Sequence, residues 1–214
     1  MTDELTRFNV VSSRIRLARN VENLPFPSKA QRSDYPSLLM LVDAVDTALK
    51  GTFDYEKFYI RELSMMRIKA LVERHIISPA LARHSVIGAA VVERNEKLSV
   101  MINEEDHIRE QSVEEGFELQ KAYRRLNEVD DRLMSALPIA FDDRFGFLTS
   151  CPTNLGTGMR ASTMLFLPAL RLAGAIEDAV KVFTGRYGLT LRGVYGEGSS
   201  ALGDTYQLSN TRSL

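Results

Sequence analysis

Between residues 113 and 137 the apolar side chains Leu119, Tyr123, Leu126, Val129, Leu133 and Leu137 return every three or four positions. That spacing belongs to one face of a long helix, and the intervening polar residues fill the other face. A long helix with one wet side needs a broad apolar surface to cover. The rest of the chain supplies short β-type segments for that purpose. Residues 8–16 alternate with β-rich residues. Residues 86–92 and Leu98–Ile102 flank a polar stretch as a β-hairpin, and 145–149, 161–167, 190–195 and 205–208 read as further strands. Shorter helical stripes occur at Leu38, Leu41, Val42, Val45 and Leu49 with Ser33 as the expected N-cap, after Ser64 to about Arg74, and at Ile176, Ala179, Val180, Phe183 and Tyr187, stopped by Gly188. Hairpin-type connections among these elements predict an α+β fold, a largely antiparallel sheet flanked by helices. No repeat or Gly/Ser linker divides the chain, so one domain over residues 1–214 is expected.

Composition narrows the function classes. A 214-residue chain with 44% hydrophobic residues can bury one sizeable core. Its net charge of −1 leaves no basic footprint for nucleic acid or a membrane surface. Cys151 is the only cysteine, which excludes an intrachain disulfide and a multi-cysteine metal site, and no metal-ligand cluster is expected. The start carries Asp3 and Glu4 without an apolar run, and the longest apolar stretch is broken by Pro168 and Arg171, so a cytoplasmic location is expected. Of the 27 basic residues 20 are Arg and 7 are Lys. Arginine's planar fork suits phosphate and carboxylate, but genomic base composition enriches it too, so position must decide.

Four clusters carry candidate chemistry. In Ser12-Ser13-Arg14-Ile15-Arg16 the two arginines stand two apart on an expected strand, so both forks project from one face. A solvated sheet edge would carry such a pair too. The segment 103–109, NEEDHIR, sets three consecutive acids at a strand end, where either a site or a solvated turn can form. Residues 151–158, CPTNLGTG, place Cys151 beside a glycine-rich loop followed by Arg160; this suits a thiolate tuned by cations, against the alternative of an inert buried cysteine. The segment 192–198, RGVYGEG, puts Arg192 and Glu197 on a loop that is either a plain connection or a cover over phosphate. Together, Arg14, Arg16, Arg109, Arg160 and Arg192 would surround a polyphosphate, while Glu105 and Glu197 face a cationic acceptor near Cys151. The chain contains no GxxxxGK[ST] loop, so an arginine cage would have to do the phosphate work.

The strings SSRIRLARN at 12–20, NEEDHIR at 103–109, CPTNLGTGMRAS at 151–162 and RGVYGEG at 192–198 resemble, in order, the ATP:guanido phosphotransferase family, which includes creatine and arginine kinases. Within it they most resemble bacterial members that act on arginine side chains of proteins. The resemblance implies a guanidino-kinase/glutamine-synthetase-like catalytic domain that transfers the ATP γ-phosphoryl group to protein arginine, with ATP and Mg2+. It implies nucleotide binding by Ser12, Ser13, Arg14, Ile15, Arg16, His75, Arg109, Arg160, Ala161, Ser162, Thr163, Met164, Arg192, Gly193, Val194, Tyr195, Gly196 and Glu197. Guanidinium contacts fall to Glu105, Cys151 and Glu197, the catalytic set. Read unaided, His75 would be only a helix-end cap. Implied partners are protein substrates with exposed arginine, an activator protein, the protein-degradation machinery and a second copy in a homodimer.

Small-guanidine kinases carry an N-terminal helical domain before the first motif. Here eleven residues precede Ser12, which favours a protein-borne acceptor. The family's bacterial members continue into a helical C-terminal region, whereas this sequence stops at Leu214, and Ser199-Ser200 stands where Thr-Glu is usual. Two alternatives follow: a small-molecule guanidino kinase, and a catalytically silent nucleotide-binding regulatory remnant.

Overall fold

The helical stripes and β segments assemble into one large sheet with helices against it and a separate two-stranded ribbon. The computed structural model describes residues 9–83, 86–193 and 203–213. In chain order the elements are β1 (Val10–Arg19), α1 (Tyr35–Leu49), β2 (Tyr55–Tyr59), α2 (Met65–Glu73), α3 (Pro79–Arg83), β3 (Ala89–Glu93), β4 (Leu98–Ile102), β5 (Ile108–Glu115), α4 (Leu119–Ala136), β6 (Phe141–Asp142), β7 (Gly146–Phe147), β8 (Met159–Phe166), α5 (Pro168–Leu172), α6 (Ile176–Tyr187), β9 (Leu189–Gly193) and β10 (Thr205–Asn210). Eight strands form one sheet in the order β2-β3-β4-β5-β1-β8-β10-β9, every neighbouring pair antiparallel. The fold is α+β, a large antiparallel sheet flanked by helices. Among the described residues no helix is long and apolar enough to cross a membrane.

Alternation along the strands sorts the two faces. On one face Ile15, Leu17, Val91, Val100 and Ile108 pack against Leu41, Val42, Val45 and Leu49 of α1 and Leu126, Val129 and Leu133 of α4. On the other, Phe58, Ala90, Val92 and Met101 meet Leu71 of α2, Leu81 of α3 and the intervening Ile76 and Ile77. This second core covers only the β2–β4 end, which leaves a polar surface over β5, β1, β8, β10 and β9.

Several boundaries move, each for a visible reason. The long helix begins at Leu119, not at 113, because residues 113–115 extend β5 and pair with β1, Val113 opposite Arg14. Ser33 lies in a 3-10 turn, Arg32–Asp34, and Asp34 takes the N-cap position of α1. Ser64 does cap α2, accepting the Arg67 N–H at 3.2 Å. The strand expected over 145–149 shrinks to Gly146–Phe147, since the Phe147 N–H turns to the Gly156 carbonyl. Three strands escape the sequence reading: β2, the whole of β5 and the two-residue β6.

Candidate active site

The open polar surface is built by strand parity. Arg14 and Arg16 share the face opposite Ile15 and Leu17, as their two-residue spacing requires. Register then decides their company: Arg16 lies across from Gln111 of β5 and from Arg160 of β8, and Arg14 lies across from Ser162. Gln207 of β10 stands opposite Arg192 of β9, and Ser209 opposite Ser162. Like charges directly opposite destabilise a sheet, so the Arg16–Arg160 pairing is a cost the fold carries for a reason.

That reason is a cavity of about 280 Å³ lined by Arg14, Arg16, His75, Ser78, Arg109, Gln111, Arg160, Arg192, Gln207 and Ser209. Burial and the neighbouring Arg109 and Arg160 guanidiniums pull the Arg14 pKa down to about 10. The same burial, with Arg14, Arg109 and Arg160 around it, holds Arg16 well below the usual arginine range. The buried Arg16 Nε has no hydrogen-bond partner among the described residues. Clustered cations whose protonated forms repel one another and are starved of water suit an anion of high charge.

The three consecutive acids separate by burial. Glu104 turns inward, accepts both hydrogen bonds of Arg109 Nη1 at 2.6 Å, and meets Ser78 Oγ. Burial opposes its ionisation, but the Arg109 guanidinium outweighs this and holds Glu104 below the ordinary carboxylate range. Asp106 is also buried and accepts the Asn20 amide at 2.7 Å and the Ser150 N–H at 2.6 Å. Glu105 alone is exposed. Partial burial, with Asp106 and Glu104 beside it, raises its pKa.

Glu105 and Cys151 line a smaller cavity of about 130 Å³, together with Arg16, Arg109, Thr153, Asn154 and Arg160. Arg16, Arg109 and Arg160 are thus walls of both cavities. The Cys151 Sγ is 3.1 Å from Thr153 Oγ1. The loop behind it is pinned by Gly158, whose φ is +66° and where a Cβ would lie 2.6 Å from the Ala18 carbonyl oxygen. Only glycine fits there. On the far side a cavity of about 250 Å³, with Ser12, Arg74, Glu96, Val113, Ser162 and Met164 in its wall, shares Arg14, His75, Gln111 and Gln207 with the arginine cavity.

Of the residues expected at the site, Ser12, Arg14, Arg16, His75, Glu105, Arg109, Cys151, Arg160, Ser162, Met164 and Arg192 line these three connected cavities. His75, at φ +58°, follows the last turn of α2; burial and Arg14 lower its pKa. Other positions fall on the opposite strand face. Ile15 is in the core, Ala161 packs against it, Thr163 is buried, and Ser13 Oγ donates to the Gly116 carbonyl. Gly193 ends β9 opposite Tyr206 and lines none of the three. Val194, Tyr195, Gly196 and Glu197 lie outside the described residues. Gln111, Gln207, Ser209, Ser78 and Glu104 were not anticipated. The alternating polar residues of β10, Gln207 and Ser209, are a period-2 signal that could have found two of them. Among the described residues no group of three or more His, Cys, Asp or Glu gathers as a metal-ligand set.

Comparison with known proteins adds an independent line. Residues 39–214 match the C-terminal catalytic domain of the ATP:guanido phosphotransferases. A protein-arginine kinase of Geobacillus sp. (strain WCH70) is 43% identical over 207 residues, which take in 96% of this chain and 57% of that protein. One from Caldanaerobacter subterraneus subsp. tengcongensis is 40% identical over 210 residues, 96% of this chain and 61% of that one. The chain therefore spans about three-fifths of the length of these curated relatives. The duplicated taurocyamine kinase from Schistosoma mansoni with bound transition state analog components superimposes with a TM-score of 0.81 at 29% identity, covering 95% of this chain and 30% of that one. Lombricine kinase gives 0.79 at 26% identity, covering 97% and 60%.

Proposed function

The chain belongs to the ATP:guanido phosphotransferase family, and from that premise we propose that it transfers the γ-phosphoryl group of Mg-ATP to a guanidinium nitrogen of arginine residues in proteins. The observation that carries this reading is the sharing of Arg16, Arg109 and Arg160 by the arginine-lined cavity and by the pocket of Glu105 and Cys151. A polyphosphate in the first places its terminal phosphoryl group against an acceptor in the second. The identity to relatives named protein-arginine kinase favours a protein-borne acceptor over a free guanidine.

The chemistry assigns a role to each group. A free guanidinium stays protonated far above neutral pH, so it arrives as a cation and a poor nucleophile. Glu105, exposed to the entering side chain and shifted toward neutrality, takes the proton from the attacking nitrogen as the N–P bond forms. The bond from the γ-phosphorus to its bridging oxygen breaks, and that electron pair leaves with ADP. Arg14, Arg16, Arg109 and Arg160 hold the phosphates in line and balance the charge that moves onto the β-phosphoryl group. Magnesium arrives as part of the substrate. Cys151 sets its sulfur beside the guanidinium, and Glu197 is the expected second carboxylate. The eight-stranded sheet, which draws on strands from β1 to β10, supports one catalytic domain over residues 1–214. The family likeness extends the reading to a cytoplasmic location and, as partners, to an activator, the degradation machinery and a second copy.

The test is incubation of the protein with Mg-ATP and an arginine-rich protein, followed by tandem mass spectrometry at neutral pH, which spares the acid-labile P–N bond. Phosphate is expected on arginine. Glu105→Gln should lower turnover by about 10²–10⁴-fold with nucleotide affinity retained. Phosphorylation of free arginine or creatine, with none on protein, would overturn the choice of acceptor, and near-parental turnover of the variant would overturn the choice of base.

A further inference from the structure

Glu105 and Cys151 sit on separate loops, one joining β4 to β5 and the other between β7 and β8, so neither strand pairing nor chain continuity sets the spacing between them. Two side chains connect them, Asp106 directly and Asn20, just past β1, by bracing both loops. The Asn20 Nδ2 donates to Asp106 Oδ1 at 2.7 Å and to the Leu148 carbonyl at 2.9 Å, while its Oδ1 accepts the His107 N–H at 2.8 Å. The same Asp106 oxygen accepts the Ser150 N–H at 2.6 Å. Asp106, the neighbour of Glu105, therefore receives both the Asn20 amide and the N–H of Ser150, the neighbour of Cys151, and Asn20 adds a second tie to that loop at Leu148.

Asn20 and Asp106 are each 2% exposed, so water cannot replace a bond lost there. The position asks for two donated bonds and an accepted one from a short planar group, which an amide supplies and a carboxylate or hydroxyl does not. Asn20 lines neither the arginine cavity nor the Glu105–Cys151 pocket, so it touches no reactant.

We propose that Asn20 is a positioning residue that locks the Glu105 loop to the Cys151 loop and thereby sets the geometry in which the guanidinium is received. The proposal rests on the functional reading above. A displacement of about 1 Å at a reacting centre costs on the order of 100-fold in rate.

Asn20→Ala is the test, with three measurements on the folded protein: turnover on a protein substrate, affinity for ADP, and the rate at which iodoacetamide alkylates Cys151. Turnover should fall about 10–100-fold, ADP affinity should hold, and the alkylation rate should change because the Cys151 loop keeps only its Ser150–Asp106 tie and loses the brace at Leu148. If Asn20→Ala does not fold, Asn20→Ser takes its place, a neutral side chain too short to span both loops. Unchanged turnover and alkylation overturn the proposal. So does a parallel fall of turnover, ADP affinity and melting temperature, or failure of both variants to fold, since each marks a merely structural role. Should the parent protein make no phosphoarginine at all, the functional reading fails, and alkylation with ADP binding still decides whether Asn20 holds the loops.

Discussion

Three adjacent acids, Glu104, Glu105 and Asp106, take three different fates because their side chains meet different partners. Glu104 neutralises and orients Arg109, Asp106 receives two N–H groups, and Glu105 is left facing the pocket. Similar carboxylates thus acquire distinct chemistry from their burial and their partners together. Cys151 is divided from a structural cysteine by the same reasoning. It is only partly buried, belongs to neither core cluster, and lines the same pocket as Glu105. Cys151→Ser should therefore leave the melting temperature where it is while removing much of the turnover. Lost stability with intact turnover per folded molecule, measured by calorimetry beside the kinase assay, would make it a packing residue.

At the scale of elements, β5 does two jobs at once. Arg109 and Gln111 face the site, and Glu110 between them faces α4, fully buried beside the Asp130 carboxylate that holds Arg19 at 2.7–2.9 Å. Burial, reinforced by Asp130, pushes the Glu110 pKa well above the ordinary range, so the folded state keeps a proton that the unfolded chain releases. A raised carboxyl pKa contributes stability that is complete below the unfolded value and lost as pH rises toward the folded one. Glu110→Gln, which mimics the neutral acid, should match the parent near pH 4 and be more stable than it at pH 7–8. The gap should widen by at most about 1.4 kcal/mol per pH unit. Denaturant melts across that range check this, and a variant less stable at every pH would mean that Glu110 is ionised and paired with Arg19. Alternation made β1, β8 and β10 legible. It hid β5, where Glu110 and Ser112 occupy core-facing positions that a hydrophobic pattern assigns to apolar residues.

Across the whole molecule the second core packs only one end of the sheet, and the exposed remainder is where charge of one sign collects. A protein that carries repelling arginines in its folded state is stabilised by whatever polyphosphate relieves them. Mg-ADP at about 100 times its Kd should contribute about 2.7 kcal/mol, which for a chain of this size raises the melting temperature by roughly 5–10 °C. AMP, without the β-phosphoryl group, should give a much smaller shift. Equal shifts from the two nucleotides, read by differential scanning fluorimetry, would place the phosphates elsewhere.

The helix stripes, the α+β class, the shared face of Arg14 and Arg16, and the strings from which Arg14, Arg16, Glu105, Arg109, Cys151, Arg160 and Arg192 line the cavities were readable from the residues alone, because periodicity and short motifs are local properties. Tertiary structure alone decided which face stays open and which arginines stand opposite one another. It also decided which of three consecutive acids meets solvent and that Asn20 ties two loops together. Those outcomes depend on strand order, register and packing. Arg16 meets Arg160 only because β1 lies between β5 and β8, and Asn20 reaches both loops only because the chain leaves β1 at the point where they converge.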